Sequence, residues 1–353
     1  MQLELFTRKK ALSISAAFLA VVLGAGAVAP AFAATQLTGA GSSFDYPLFS
    51  KAFYEYSQQH GDVAVNYQSI GSGGGIQQFT ARTVDFGASD VPLNAEEYKR
   101  AEQAGGKVLQ IPIALGGVAM AYNVPGIAQG LRLSGPVIAD IYLGKIVKWN
   151  DAAIAKLNPS LKLPEAQIVV VHRSDGSGTS YIFTDYLAHV SQAWKSKVGV
   201  GKSVQWPAQN SVGGKGNEGV AGQVRETPGS IGYVELAYAL QNSMTYAQVQ
   251  NAAGKFVYPT IESVRAAAAT KPGVNPSDFS IVDRPGAGSY PIVGYSWAMV
   301  FAKPADAARA KLIKEVLEWT ATKGQSIAAS LDYVPLPANV QQEAKRVLGQ
   351  MRF

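Results

Sequence analysis

Ile168-Val169-Val170-Val171-His172-Arg173-Ser174-Asp175-Gly176-Ser177-Gly178-Thr179-Ser180 reads as a buried strand that runs into a glycine- and serine-rich loop and then into a helix. The run of β-branched residues favours the strand. Glycine lets the backbone come close to a ligand. A helix that starts directly after such a loop presents unpaired N–H groups and the positive end of its dipole, which suits an anion. The same design occurs twice more. Gly39-Ala40-Gly41-Ser42-Ser43-Phe44 precedes Pro47, a residue suited to an early helix position. Gly71-Ser72-Gly73-Gly74-Gly75 follows an apolar run at 63–70. One loop of this kind is ordinary turn and N-cap chemistry. Three in one chain point to an oxyanion site.

Outward from these loops, apolar strand-like runs alternate with helical stretches, the signature of an α/β fold. Strands are expected at 63–70, 108–113, 117–122, 168–171, 232–234, 281–282 and 296–301. Helices are expected at 46–60, 94–104, 178–190, 219–226, 263–269 and 306–321. In the last, Leu312, Val316 and Trp319 form an apolar face. Neither an internal repeat nor a low-complexity linker divides the chain, so two lobes would be wound together by several crossings.

Three charged residues attach to the loops. Arg173 and Asp175 are two apart on an extended approach, so both point to one face. The guanidinium offers a rigid fork for an oxyanion, and the adjacent carboxylate would hold that fork. Asp90 ends the mostly apolar stretch Asp85-Phe86-Gly87-Ala88-Ser89-Asp90, which suggests partial burial.

Other function classes fit poorly. Gly213-Gly214-Lys215-Gly216-Asn217 lacks the spacing of a nucleotide-binding P-loop, and no dinucleotide fingerprint follows a strand. Neither a nucleophile elbow nor a zinc-protease motif is present. His60, His172 and His189 read as surface or structural residues, and no metal site or cofactor is expected. The chain has 353 residues and no cysteine, which excludes disulfides and thiolate metal sites. Its 31 basic and 25 acidic residues give a net charge of +6. The basic residues are scattered, so no nucleic-acid footprint is expected; a mild positive field suits an anionic ligand.

The first 33 residues read as an export leader. Arg8, Lys9 and Lys10 precede a small, apolar segment, and Ala31-Phe32-Ala33 matches a small-x-small cleavage pattern. Cleavage between Ala33 and Ala34 would remove those three basic residues and Glu4, leaving 28 basic against 24 acidic, a net charge of +4.

Leu37-Thr38-Gly39-Ala40-Gly41, Asn66-Tyr67-Gln68-Ser69-Ile70-Gly71-Ser72, the stretch 84–90, Asp140-Ile141-Tyr142-Leu143-Gly144-Lys145-Ile146, the stretch 173–180, Gly213-Gly214-Lys215-Gly216-Asn217 and Ile231-Gly232-Tyr233-Val234-Glu235 together resemble the phosphate-binding proteins of bacterial high-affinity phosphate ABC transporters. The resemblance covers nearly all of the chain after the leader. It implies a two-lobed α/β periplasmic binding protein of the type II kind, with a ligand cleft and hinge crossings between the lobes. One lobe would take 34–115 and 290–353, the other 116–289. It also implies phosphate contacts from Ser43, the Phe44 N–H, Ser72, Asp90, Arg173, Asp175, Ser177, Gly178 and Thr179. Ser43 stands where the family often has threonine, and His172 where another arginine can occur. The implied role is capture of phosphate in the periplasm, by a monomer without catalysis, and delivery to the permease subunits of an inner-membrane importer with its cytoplasmic ATPase. The alternatives are a binding protein for another tetrahedral oxyanion and a phosphatase using the same loops.

Overall fold

The computed structural model describes Ala34–Phe353. The expected leader and its cleavage position lie outside the described residues. Twelve strands are found among these residues. β1 (Thr35–Gly41), β2 (Val63–Ser69) and β3 (Phe86–Ser89) are parallel, with β1 in the middle. The long β4 (Val108–Asn123) and the two-residue β5 (Arg132–Leu133) follow. β6 (Val169–Arg173), β7 (Ser211–Gly214) and β8 (Ser230–Glu235) are again parallel, with β6 in the middle. β9 (Thr245–Tyr246), β10 (Gln248–Gln250) and β11 (Phe256–Val257) are short, and β12 (Val293–Phe301) returns antiparallel between β3 and β4. The main sheet has the order β2-β1-β3-β12-β4-β8-β6-β7, with β9 added against β4; β11, β10 and β5 form a small sheet.

The molecule is therefore a two-lobed α/β protein, as expected: two parallel halves, β1–β3 and β6–β8, joined by the antiparallel pair β4 and β12. Ligands of open parallel sheets bind outside the carboxyl ends of the strands. Here β1 leads to Ser42, β2 to Gly71, β3 to Asp90, β6 to Asp175 and β7 to Gly216. The helices Tyr46–Gln59, Gly71–Thr80, Gly178–Val190 and Gly216–Glu226 begin close after these ends.

Three expectations are corrected. The runs 108–113 and 117–122 are one strand, β4, buried over all but its last residue. A glycine pair inside an apolar run looks like a break. At Gly116, however, the missing side chain makes room: a Cβ there would lie 2.7 Å from the Phe44 ring and 2.9 Å from Glu235 Oε1. The strand absorbs an irregularity instead at the β12 register shift between Ser296 and Trp297, opposite Ala114 and Pro112. Proline, which has no N–H to donate, is tolerated at such a bulge. Residues 281–282 are not a strand; Ile281 and Val282 are buried in a turn, and Asp283 N donates to Pro291 O at 2.8 Å. Their apolarity reports burial, not pairing. Gly71-Ser72-Gly73-Gly74-Gly75 is not a loop but the first turns of the helix Gly71–Thr80.

That helix needs its glycines because it lies directly on the sheet. A Cβ on Gly75 would come within 2.3 Å of Gly41 Cα and 2.7 Å of Ala40 O. Gly75→Ala is expected to destabilise the protein by about 1–3 kcal/mol, because backbone on both sides must shift. In the Gly216–Glu226 helix a Cβ on Gly222 meets nothing within 4 Å. Gly222→Ala should therefore stabilise by about 0.5–1 kcal/mol, the ordinary gain of alanine over glycine in a helix. Urea denaturation of both variants checks the opposite signs.

Candidate functional site

All nine residues expected at the site are brought to one place, where the two halves meet. Gly73 N donates to Gly176 O at 2.7 Å, and Gly178 N donates to Ser72 Oγ at 3.0 Å, both across the junction. Ser43, Phe44, Ser72, Asp90, Arg173, Ser177 and Thr179 are all buried.

Arg173 ends β6 and its side chain is 1 % exposed. Its Nε donates to Asp175 Oδ1 at 2.7 Å and its Nη2 to Asp175 Oδ2 at 2.5 Å, the two-pronged geometry that the spacing suggested. Nη1 reaches Thr179 Oγ1 at 3.4 Å. Asp175 also accepts from Gly216 N at 3.1 Å. Burial alone would raise the Asp175 carboxyl; the hydrogen bonds and charge of Arg173, with the Gly216 N–H, outweigh it and hold the group below the usual range. Gly71, at φ +80°, leaves the room that this carboxylate occupies: a Cβ there would lie 2.1 Å from Asp175 Oδ2.

The hydroxyls are arranged so that they are left to donate. A hydroxyl has one hydrogen and two lone pairs. Ser43 Oγ accepts from Asn217 N at 3.0 Å and Asn217 Nδ2 at 2.9 Å. Ser72 Oγ accepts from Asp90 N at 3.2 Å and Gly178 N at 3.0 Å. Thr179 Oγ1 accepts from Arg173 Nη1 and from Asn217 Nδ2 at 3.2 Å. With both acceptor positions filled, each oxygen has only its hydrogen to offer. Ser177 Oγ caps its helix by accepting from Ser180 N at 3.0 Å. The Phe44 N–H donates to Ser42 Oγ at 2.9 Å.

Asp90 is the counterweight, a carboxylate 3 % exposed among these donors. Its Oδ1 accepts from Ser42 Oγ and from Ser296 Oγ, the latter at 2.8 Å. Its Oδ2 faces Gly178, where a Cβ would approach it and Ser72 Oγ to 2.6 Å each. Burial pushes the Asp90 carboxyl up to about 6, against the hydrogen bonds from Ser42 and Ser296, the charge of Arg173 and the nearby Thr179 hydroxyl, which all favour its anion.

Several participants were not singled out from the sequence. Asn217, fully buried, links Ser43 to Thr179 and accepts from Glu235 N at 2.8 Å. Ser296, a polar residue inside the apolar β12, supports Asp90; its polarity amid Val293–Phe301 was the available signal. At the rim, Lys202 Nζ binds Glu97 Oε1 at 2.6 Å and Oε2 at 2.7 Å, joining the opposite half to the helix Ala95–Gly105. His172 is half-buried and stacks on Trp206, while His60 and His189 are exposed. Among the described residues no group of three or more His, Cys, Asp or Glu could hold a metal ion. No helix among them is long and apolar enough to cross a membrane.

Comparison with known proteins bears on the family and the fold. The model of the PBP superfamily domain matches residues 26–323. The phosphate-binding protein PstS of Xylella fastidiosa (strain Temecula1) is 50% identical over 87% of this chain and 83% of its own length. The PstS of Pasteurella multocida is 48% identical over 88% and 89%, and that of Methanocaldococcus jannaschii 40% over 85% and 82%. Among solved structures, a phosphate-binding protein from Stenotrophomonas maltophilia has a TM-score of 0.71 at 21% identity, covering 88% of this chain and 93% of that one. Its likeness is one of fold. By its match to the superfamily model and its identity to these relatives, the chain belongs to the PBP superfamily and, within it, to the PstS phosphate-binding proteins.

Proposed function

We propose that this protein captures inorganic phosphate between its two halves and delivers it to the permease subunits of an inner-membrane ABC importer, driven by that importer's cytoplasmic ATPase. The observation that carries this reading is the buried acceptor Asp90, set among hydroxyls left to donate and the anchored guanidinium of Arg173. Phosphate near neutral pH has several oxygens that accept and at least one O–H that donates. Ser43, Ser72, Ser177, Thr179 and Arg173 with its partner Asp175 would take the accepting oxygens; the N–H groups of Phe44 and Gly178, which bond Ser42 Oγ and Ser72 Oγ here, would have to turn from those partners to join them; Asp90 would take the O–H. Identity to relatives named for phosphate binding supports the same conclusion.

The lobes in this reading are 34–115 with 290–353, and 116–289, which place the crossing near Gly116 in β4. The protein is read as exported, with its leader removed after Ala33, and as acting in the periplasm as a monomer until it docks. It binds without turnover. Ser43, Ser72 and Thr179 each accept from two donors, which lowers rather than raises the nucleophilicity of a hydroxyl.

Arg173→Ala removes the positive charge and leaves Asp175 without its main partner, beside an anion. Calorimetry should find phosphate binding weakened by at least about 2 kcal/mol, as for truncation of one member of a buried charged pair; binding within twofold of wild type would place the site elsewhere. Asp90→Asn exchanges the acceptor for a possible donor. Sulfate, which carries no proton at neutral pH, meets repulsion at a carboxylate and none at an amide. A site built for a hydrogen bond rejects an analogue that lacks it. Competition titrations should show sulfate gaining on phosphate in the variant, and equal binding of both by wild type would favour a general oxyanion carrier.

The rim pair adds a kinetic expectation. Lys202 and Glu97 are 16% and 12% exposed, so their attraction is only partly screened. A ligand held by both halves would draw them together about the hinge crossings, and a contact that joins the halves would belong to that closed form. Lys202→Met should raise the phosphate dissociation rate by about fivefold, the equivalent of roughly 1 kcal/mol, with little change in association. Stopped-flow measurement separates the two rates.

A further inference from the structure

Asp45 is the N-cap of the helix Tyr46–Gln59, yet its side chain makes no cap hydrogen bond. An aspartate at that position ordinarily accepts from the second or third N–H of the helix. Here the side chain is fully buried and turned inward. Its Oδ2 lies 2.6 Å from Ser296 Oγ, and Ser296 Oγ lies 2.8 Å from Asp90 Oδ1. Its Oδ1 has no hydrogen-bond partner among the described residues.

Counting hydrogens decides the protonation. Two contacts run through Ser296 Oγ, and a serine hydroxyl carries one hydrogen. If both carboxyls were ionised, one contact would bring two oxygens with no hydrogen between them, in an interior that screens charge poorly. A second hydrogen must therefore sit on a carboxyl. Asp90 Oδ1 also receives the Ser42 hydroxyl, and Arg173 lies near enough to favour its anion. Asp45 has neither advantage. An ionised Asp45 would leave Oδ1 charged, dry and unpartnered, whereas in the neutral acid that atom is a carbonyl oxygen, which is less costly to bury.

The titratable groups around the pair supply no alternative hydrogen. Tyr67 donates to Ser42 O at 2.9 Å, Tyr238 to Ser43 O at 2.7 Å and Tyr333 to Phe44 O at 2.5 Å. Glu235 Oε2 accepts from Ala237 N at 2.7 Å. The Arg173 side chain bonds Asp175 and Thr179.

We infer that Asp45 is a neutral carboxylic acid that positions Asp90: its Oδ2–H donates to Ser296 Oγ, and Ser296 in turn donates to Asp90 Oδ1. Burial first, and then the neighbouring Asp90, hold the Asp45 carboxyl well above its usual range. The pair thus carries one negative charge, located on Asp90. With Oδ1 of Asp90 saturated by Ser42 and Ser296, Oδ2 is left as the acceptor turned toward Gly178. Asp45 contributes to selectivity without reaching the ligand; this step rests on the reading of Asp90 as the acceptor of a phosphate O–H. Asp45, Asp90 and Ser296 lie on the same side of the junction, so the relay is expected in the open form too.

Infrared difference spectroscopy of wild type against Asp45→Asn, without ligand at neutral pH, tests the protonation. The expected result is loss of one deuterium-sensitive C=O band of a protonated acid. Loss of an ionised-carboxylate band instead would overturn the inference. Phosphate titrations across pH test the positioning. Asparagine can donate to Ser296 as the acid does, so Asp45→Asn should keep the wild-type pH at which affinity falls on acidification. Ser296→Ala strips Asp90 of one donor and should move that fall to higher pH. A fall that shifts to lower pH in Asp45→Asn, as removal of a neighbouring negative charge would cause, overturns the inference; so does an unshifted Ser296→Ala, an arm that stands even if the Asp45→Asn variant does not fold. Failure of wild type to bind phosphate would sink the functional reading and leave the infrared result to stand or fall alone.

Discussion

A full positive charge buried at the end of β6 has to be held, and Asp175 holds it with two parallel hydrogen bonds. Most of the local architecture follows from that requirement. Asp175 needs a further donor, which the first N–H of the Gly216–Glu226 helix provides. It also needs space, which the absent side chain of Gly71 leaves. The guanidinium must not collapse onto its partner entirely, and Thr179 takes one terminal nitrogen. Buried pairs of this kind contribute little net stability, because desolvation offsets most of the attraction. Their value here is placement: a charge fixed in direction before any ligand arrives.

The second organising feature is the saturation of acceptors. Serine and threonine hydroxyls are ambivalent in water. Fixed N–H groups of Asn217, Gly178 and Asp90, with the Arg173 guanidinium, occupy their lone pairs and so assign them a role. Asn217 does this for both halves at once, which makes it as much a part of the junction as the residues it serves.

What could be read along the chain was whatever is local. Strand end and helix start fall within a dozen residues, so the three strand-to-helix junctions were visible even where the glycines prove to lie in β1 or in the helix Gly71–Thr80, as was the Arg173 and Asp175 pair at a spacing of two. Asp90 drew notice through its apolar surroundings. Asn217 and Ser296 did not, because their partners are remote: Ser43 and Asn217 are 174 positions apart, Asp90 and Ser296 are 206. Nothing local marks a pairing that only the sheet order creates. The continuity of β4 was missed for a related reason. Gly116 and Gly117 look like a turn until Phe44, Glu235 and Val264 are seen crowding the space where their side chains would be.

The position of β12 bears on how the chain reaches this state. It fills the middle of the sheet, between β3 and β4, yet it begins at Val293. A polypeptide emerging from its N-terminus makes β3 and β4 long before it makes the strand that separates them. Until then each presents an unpaired edge, open to premature association with other strands. Contacts spanning some 200 residues are slow to form, since a long loop must be closed before they repay its entropy. The main sheet therefore cannot be completed until the last sixth of the chain has been synthesised, and the order of synthesis and the order of the strands in space are at odds at its centre.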